Sequence, residues 1–296
     1  MTGMSKKYKP NFLIAGAPRC GSTSIYRALQ QVNGVYMPEN KEPHYFCANS
    51  VGRGPRGEGA DTVTSEEEYF ELFNSSESKE AIVRGECSIG YLNFSSSSIA
   101  KIKECLGDEV KIIITLREPV ARAYSSYLLH RKHLSENYSF EKATSTSVMN
   151  SRKAAGYWFG FRYLELSEYA ANLNKFMNEF KNVHVLILEE FALNPKVEFE
   201  RLLEFLLLSD VDVDSLDLAS PKNASVVDRF VVVARILNKL HKHAGPLGGC
   251  VESLKTHLQY RPLIDSKCEQ ELRRYFKPDV AGVEALLGRK ISTWGY

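Results

Sequence analysis

The chain has 296 residues, 44% of them apolar and 25% charged, with a net charge of +2. Such a balance fits a folded α/β protein and excludes a dedicated nucleic-acid binder, which would carry a marked basic excess. The opening residues, MTGMSKKYKP, hold no apolar core of signal-peptide length, and no apolar run approaches the roughly 20 residues of a membrane span. The six cysteines (Cys20, Cys47, Cys87, Cys105, Cys250, Cys268) form no CxxC pair, which argues against a zinc site and for reduced thiols in a cytoplasmic protein.

Phe12–Ala15 is an apolar run that reads as a buried strand, and Ile25, Leu29 and Val32 follow at helical spacing. Residues 49–64, rich in glycine and charge, read as a loop. Ser65-Glu66-Glu67-Glu68 predicts a capping box for a helix through Phe73. Lys111–Leu116 (KIIITL) is a second strand, and Pro119 suits the first turn of a helix running to about His133. Residues 134–153 are rich in serine and threonine without apolar periodicity and read as a loop or lid. Leu166, Tyr169, Leu173, Phe176 and Phe180 recur at steps of three and four, predicting an amphipathic helix before a third strand, Val183–Leu188 (VHVLIL). Pro195 opens the next helix, through Leu207; beyond about Ser209 the strand signal stops, and Phe230–His243 and Asp265–Tyr275 read as helices. Short continuous apolar strands alternating with helices predict a three-layer α/β/α fold around a central parallel sheet. No repeat or linker divides the chain, so it reads as one domain over residues 1–296.

The stretch Gly16-Ala-Pro-Arg-Cys-Gly21-Ser22-Thr23 joins the first strand to the first helix with P-loop spacing, and such a junction binds phosphate through free amides and the helix dipole. Ser22 stands where a P-loop carries lysine, and the cation has moved inward to Arg19. The KIIITL strand ends in Arg117, a cation rather than the acidic residue that would help hold Mg²⁺. A second anion, not a metal, is the expected partner of that strand end. A bare glycine turn without a ligand is the alternative reading.

Pro18-Arg19-Cys20-Gly21-Ser22-Thr23 resembles the first motif of the sulfotransferases that use 3′-phosphoadenosine-5′-phosphosulfate (PAPS), P-[KR]-x-G-[ST]-[ST]. Their second motif, an arginine ending a central strand and a serine eight residues later, is matched by Arg117 and Ser125 in LREPVARAYSSYLLH. VHVLILEEFALNP and the C-terminal run LRRYFKPDVAGVEALLGRKISTWGY also resemble segments of that family. The resemblance implies a P-loop-like α/β sheet in which Arg19, Cys20, Gly21, Ser22, Thr23 and Ser24 form the cofactor loop around the 5′-phosphosulfate. It places Arg117 and Ser125 on the 3′-phosphate, with 3′-phosphoadenosine-5′-phosphate (PAP) as product and no metal.

Sulfuryl transfer to a hydroxyl-bearing acceptor needs a base for the acceptor's proton and cations for the leaving phosphate. Asn40-Lys41-Glu42-Pro43-His44-Tyr45-Phe46 resembles the K-E-x-H-[FY]-F segment of heparan sulfate 3-O-sulfotransferases, whose glutamate is the proposed base. By that match Glu42 is the first candidate base and His44 the second, with Lys41, Tyr45 and Phe46 on the substrate side. A solvated loop whose Tyr45 and Phe46 plug the core is the alternative. Gly85-Glu86-Cys87-Ser88-Ile89-Gly90-Tyr91 departs from the related E-K-[ST]-P-x-Y segment: Cys87 occupies the lysine position, so a cation facing the acceptor is missing. Cys87 reads as a small buried filler, and Cys20, though near a helix N-terminus, as one of several small residues tolerated there.

His130-Arg131-Lys132-His133 close a helix, where cations meet its dipole; His241 and His243 fall on different helix faces; Glu189 and Glu190 read as caps or salt-bridge partners. Tyr45, Phe46, Tyr157, Trp158 and Phe159 are candidates to line a pocket for a small metabolite, a carrier-bound intermediate or a sugar. The rival functions are a kinase or NTPase using the same loop, and an inactive nucleotide-binding module.

Overall fold

The computed structural model describes residues 8–52, 62–218, 227–228, 259–260 and 262–296. From the N-terminus run β1 (Phe12–Gly16), α1 (Ser22–Gln30), β2 (Val35–Tyr36), α2 (Glu66–Glu71), α3 (Ser76–Glu80) and β3 (Val83–Cys87). Then follow α4 (Ser95–Leu106), β4 (Lys111–Leu116), α5 (Pro119–Lys132), α6 (Phe140–Ala143), α7 (Thr146–Ala154), α8 (Ala170–Glu179) and β5 (Val183–Ile187). The remainder comprises α9 (Leu188–Leu193), α10 (Pro195–Leu206), the antiparallel pair β6 (Val227–Asp228) and β7 (Gln259–Tyr260), and α11 (Ser266–Leu287).

Strands β1 to β5 form one parallel sheet in the order β2-β3-β1-β4-β5, with Leu13 beside Ile112 and Ile113 beside His184. Alternation along each strand feeds two cores. Leu13, Ala15, Ile112 and Ile114 pack with Ile102, Leu173, Phe176 and Val280 on one face; Phe12, Ile14 and Ile113 pack with Ile25, Leu29, Phe199 and Leu202 on the other. The expected α/β/α layering with a central parallel sheet is what the chain adopts. The chain leaves β1 toward β3 and leaves β4 toward β5, so the sheet's switch point lies at the C-terminal ends of β1 and β4, where open α/β sheets place their ligands.

Several local expectations change. Residues 134–153 are not a plain loop: they contain α6 and most of α7, organised around a buried carboxylate. Glu136 accepts from both Arg152 guanidinium nitrogens at 2.8 and 2.9 Å and from the Tyr163 hydroxyl at 2.9 Å. Ser139 caps α6, and Phe140 and Ala143 join a third cluster with Val120, Tyr163 and Phe276. The helix expected from Leu166 begins at Ala170, because Asp279 of α11 accepts from the amides of Tyr169 and Ala170 at 2.8 and 3.0 Å and so caps it from outside. Ser65 does accept from the Glu68 amide, but α2 stops at Glu71. The last helix is longer than expected, Ser266–Leu287, capped by Asp265 and continuing through Pro278. A strand pair also exists past Ser209, β6 with β7, whereas Phe230–His243, with His241 and His243, lies outside the described residues.

Candidate active site

The turn between β1 and α1 is built by glycines that no other residue replaces without displacement. A Cβ on Gly21, at φ 86°, would stand 2.6 Å from the Leu188 side chain, and one on Gly16, at φ 138°, 2.8 Å from the Ile89 carbonyl. Arg19 itself takes a left-handed φ of 67°, a conformation that costs a non-glycine residue about 1–2 kcal/mol. In the same turn the Cys20 side chain is fully buried, its Sγ 3.6 Å from the Pro18 carbonyl and 3.8 Å from the Tyr169 hydroxyl. Helix α1 opens without a side-chain cap and without an acidic residue in its first turn, which leaves the positive end of its dipole directed at the turn.

At the end of β4, Glu118 caps α5 by accepting from the Val120 and Ala121 amides at 3.2 and 2.6 Å. This fixes the helix that carries Ser125. Arg19 Nε donates to Ser125 Oγ at 3.2 Å, and Arg117 Nη1 approaches the Arg19 carbonyl at 3.5 Å. Burial, reinforced by the neighbouring Arg117 charge, holds the Arg19 guanidinium below its ordinary value. Two cations and a helix N-terminus thus meet at the switch point, a donor set suited to anionic oxygens.

Glu42 lines the same cavity and has two partners. Lys41 Nζ donates to Oε1 at 2.5 Å, and His44 Nε2 lies 3.3 Å from Oε2. Burial would raise the Glu42 carboxyl, but the His44 and Lys41 contacts outweigh it and hold it below the ordinary carboxylate value. His44 is fully buried behind Glu42, edge-on to Phe159, with Cys47 Sγ 3.8 Å from its Nδ1. Cys87 is fully buried beneath α1, and burial pushes its thiol up to about 11 despite the adjacent Lys41 charge.

Pro18, Arg19, Gly21 to Ser24, Glu42, Ile89, Arg117, Ser125, Ser126, Leu129, Trp158, Phe159, Gly160 and Leu188 enclose a cavity of about 360 Å³. Arg117 and Ser125 also border an adjoining cavity of about 300 Å³ with Val120, Tyr124 and Leu128, so they stand where two spaces meet. The expected site residues therefore divide. Arg19, Gly21, Ser22, Thr23, Ser24, Glu42, Arg117 and Ser125 come together on one cavity. Cys20 presents its side chain to the core and has its thiol pushed up to about 12 by burial, and Lys41 and His44 stand behind Glu42 rather than on the cavity wall.

Tyr45 and Phe46 do not line this cavity. The turn at Tyr45–Ser50 directs both rings inward onto Tyr69, with centroids 4.5 and 5.0 Å away. Of the remaining aromatic candidates, Trp158 and Phe159 line the cavity and Tyr157 does not. His130 is buried against Phe161, its imidazole driven down to about 4 by burial. Ser126, Leu129, Gly160 and Leu188 also line the cavity and belong to none of the sequence's candidate sites, and Ile89 stands out only as the residue in place of a motif proline; the position of Leu188 at the end of the VHVLIL run, on the ligand-facing sheet edge, is the signal that points to it.

A parallel sheet with an arginine-bearing turn and a second arginine at the switch point defines a protein suited to bind anionic groups. The sulfotransferase domain matches residues 9–220, and the chain belongs to the sulfotransferase family, whose chemistry is sulfuryl transfer. A sulfotransferase from Alicyclobacillus acidocaldarius shares 27% identity, with a TM-score of 0.75 over 97% of this chain and 99% of that one. Human carbohydrate sulfotransferase 15 is 24% identical across 73% of this chain and 47% of its own length. The bifunctional heparan sulfate N-deacetylase/N-sulfotransferase of Drosophila melanogaster is 24% identical across 90% of this chain and 25% of its own. The chain spans about half or less of the length of these two curated relatives.

Proposed function

We propose that this chain, acting as one domain, moves the sulfuryl group of PAPS to the hydroxyl of an acceptor, leaving PAP, without a metal. The observation that carries the reading is the convergence of Arg19, Arg117, Ser125, the α1 N-terminus and Glu42 on one cavity. When bound, PAPS supplies an activated sulfuryl group on its 5′-phosphate. Arg19, with the Gly21–Ser24 amides and hydroxyls, holds that phosphate and takes up the charge that grows on its bridging oxygen as the bond to sulfur breaks. Arg117 and Ser125, at the meeting of the two cavities, hold the 3′-phosphate. Glu42, kept ionised by Lys41 and His44, accepts the acceptor's proton as its oxygen bonds to sulfur.

For the acceptor, the wall formed by Ile89, Leu129, Trp158, Phe159 and Leu188 suits a carbon skeleton with little charge, as in a small metabolite or a carrier-bound intermediate. The names of the human and fly relatives point instead to carbohydrate. The test is a metal-free titration with PAP and 5′-AMP beside ATP with Mg²⁺, then turnover of labelled PAPS with apolar alcohols and oligosaccharides. PAP is expected to bind tightest, and Arg117→Ala to lose about 1.5–3 kcal/mol toward PAP but not toward 5′-AMP. Tighter binding of ATP with Mg²⁺ would return the chain to the kinase or NTPase reading. PAP binding with no turnover of any acceptor would leave a binding module.

A further inference from the structure

The peptide group that follows Arg117 is held at both of its ends by side chains from outside the β4–α5 turn. Its carbonyl, that of Arg117, accepts from the Tyr169 hydroxyl at 2.9 Å. Its N–H, that of Glu118, donates to Glu189 Oε1 at 3.1 Å. Each of these two side chains is fixed in turn by the C-terminal part of the chain. Glu189 Oε2 accepts from the Trp294 indole N–H at 2.9 Å, and the Trp294 ring, 1% exposed, packs near Tyr169 at 6.2 Å between centroids. Tyr169 has its backbone amide on Asp279 of α11. Tyr296 donates to Glu118 Oε1 at 2.6 Å, and Arg289 grips Glu190 through two hydrogen bonds of 2.7 and 2.6 Å.

We propose that Glu189, Trp294 and Tyr169 are positioning residues for Arg117, and that the segment from α11 to Tyr296 acts as a clasp that aims its guanidinium. The inference rests on Arg117 meeting a 3′-phosphate, as proposed above. The physical reason is geometric. An arginine at a strand end has four side-chain torsions of its own, so the direction in which it leaves the backbone must be set by the peptide beside it. A peptide with donor and acceptor both bonded to side chains from other elements cannot rotate without breaking two hydrogen bonds, each worth about 1 kcal/mol or more when the partner is charged. Glu189 is the central piece because each of its oxygens has a separate task. One receives the Glu118 amide, the other the indole that keeps the carboxylate in place. Neither Glu189 nor Trp294 lines the cavity, so both act on a ligand only through Arg117.

The experiment compares wild type with Trp294→Phe, Glu189→Gln and Tyr169→Phe. It measures the affinity for PAP and for 5′-AMP, the KM for PAPS and kcat at saturating PAPS, with thermal unfolding of each variant alongside. Tyr169→Phe removes one donor and keeps the ring, whereas Trp294→Phe removes the indole donor together with part of the buried ring system; each should weaken PAP roughly 5- to 10-fold while leaving 5′-AMP within about twofold. The KM for PAPS should rise in proportion, with kcat within about twofold. Arg289→Ala removes an exposed ion pair to Glu190 but none of the hydrogen bonds that hold Glu189, Tyr169 or the Arg117–Glu118 peptide, and should leave the PAP to 5′-AMP ratio unchanged. If Trp294→Phe or Glu189→Gln fails to fold, Tyr169→Phe alone reads the same peptide. Equal losses toward PAP and 5′-AMP, or unchanged PAP binding in the folded variants, would overturn the clasp while leaving the proposed function standing. A wild type that does not prefer PAP to 5′-AMP would instead remove the function reading and the clasp with it.

Discussion

Glu86 offers a test of the fold's interior that depends on no ligand. It lies on β3, fully buried, with Oε1 accepting from Tyr91 at 2.6 Å and Tyr69 at 3.3 Å, while Oε2 has no hydrogen-bond partner. Burial raises its carboxyl from the ordinary 4.5 to about 7, although the Tyr91 and Tyr69 hydrogen bonds and the nearby Ser88 hydroxyl pull the other way. The folded chain therefore keeps this proton to about pH 7, whereas the unfolded chain releases it near 4.5. Folding takes up a proton between those values, so stability falls as pH rises through that window. Below it the penalty is absent, and above pH 7 it is fully in place. At about 1.4 kcal/mol per tenfold in proton concentration, the gap corresponds to roughly 3 kcal/mol. Glu86→Gln keeps the shape and an acceptor for the tyrosines but removes the ionisation. At pH 8 the variant should be more stable than wild type by an amount approaching that figure; at pH 4 the two should be nearly equal. With about 2 °C per kcal/mol for a chain of this size, the Tm difference at pH 8 should be near 6 °C. Denaturant unfolding at both pH values gives the same comparison as free energies. A Tm difference that is the same at pH 4 and pH 8 would refute the reasoning, because it would mean that folding does not shift the Glu86 carboxyl.

Five substitutions give further expected outcomes. Glu42→Gln should lower kcat by about 10²–10⁴-fold with PAP affinity nearly unchanged, and the acid limb of the wild-type kcat profile should fall below pH 4.5, because Lys41 and His44 favour the ionised carboxylate. His44→Asn should move that limb upward and spare most activity at neutral pH; near-complete loss in His44→Asn beside an active Glu42→Gln would transfer the base role to the histidine. Arg19→Ala should reduce kcat by about 10²-fold or more, whereas Ser125→Ala should act mainly on the KM for PAPS, and a pure KM effect for Arg19→Ala would remove its transition-state role. Asp279→Ala frees two amides at the start of α8 and should cost about 1–2 kcal/mol in denaturant unfolding; an unchanged midpoint would show that those amides find water instead.

What could be read from the sequence was what local pattern controls. Phe12–Ala15 and Ile112–Leu116 are buried on both sheet faces and are accordingly apolar except at Thr115, and the Gly16–Gly21 turn needs its glycines wherever the rest of the chain lies. Strand β3 was missed because VRGEC breaks the apolar pattern for tertiary reasons. A Cβ on Gly85 would sit 2.3 Å from the Phe12 ring, and Glu86 is tolerated inside only because Tyr69 and Tyr91, from two other segments, donate to it. Residues 134–153 hid their helices in the same way, since the group that organises them is the Glu136–Arg152–Tyr163 cluster and not an apolar stripe. At the site, residue types at motif spacing identified the two arginines, but spacing cannot say which way a side chain turns. Tyr45 and Phe46 follow the turn into the core, and Cys20 faces inward beside an outward Arg19.

The departure at Cys87 changes where the local cation stands. With Cys87 at the position of the family's lysine, a cation facing the acceptor is expected to be missing. In the fold, Lys41 comes beside Cys87 from another segment, behind Glu42 and not on the cavity wall. Its carbonyl accepts from the Cys87 amide at 3.1 Å, and its ammonium lies beside both the Cys87 thiol and Glu42. Burial would lower that ammonium, but the Cys87 and Glu42 contacts outweigh it and raise it above its ordinary value, so the charge is present at neutral pH. That charge acts on Glu42 and does not face the acceptor, so the cavity carries no lysine from this segment. The second ground against a glycan acceptor is the apolar wall from Ile89 to Leu188 with Trp158 and Phe159. That wall meets a carbon skeleton rather than a row of sulfates, and it is why the acceptor proposed here is a weakly charged alcohol even though two relatives carry carbohydrate names.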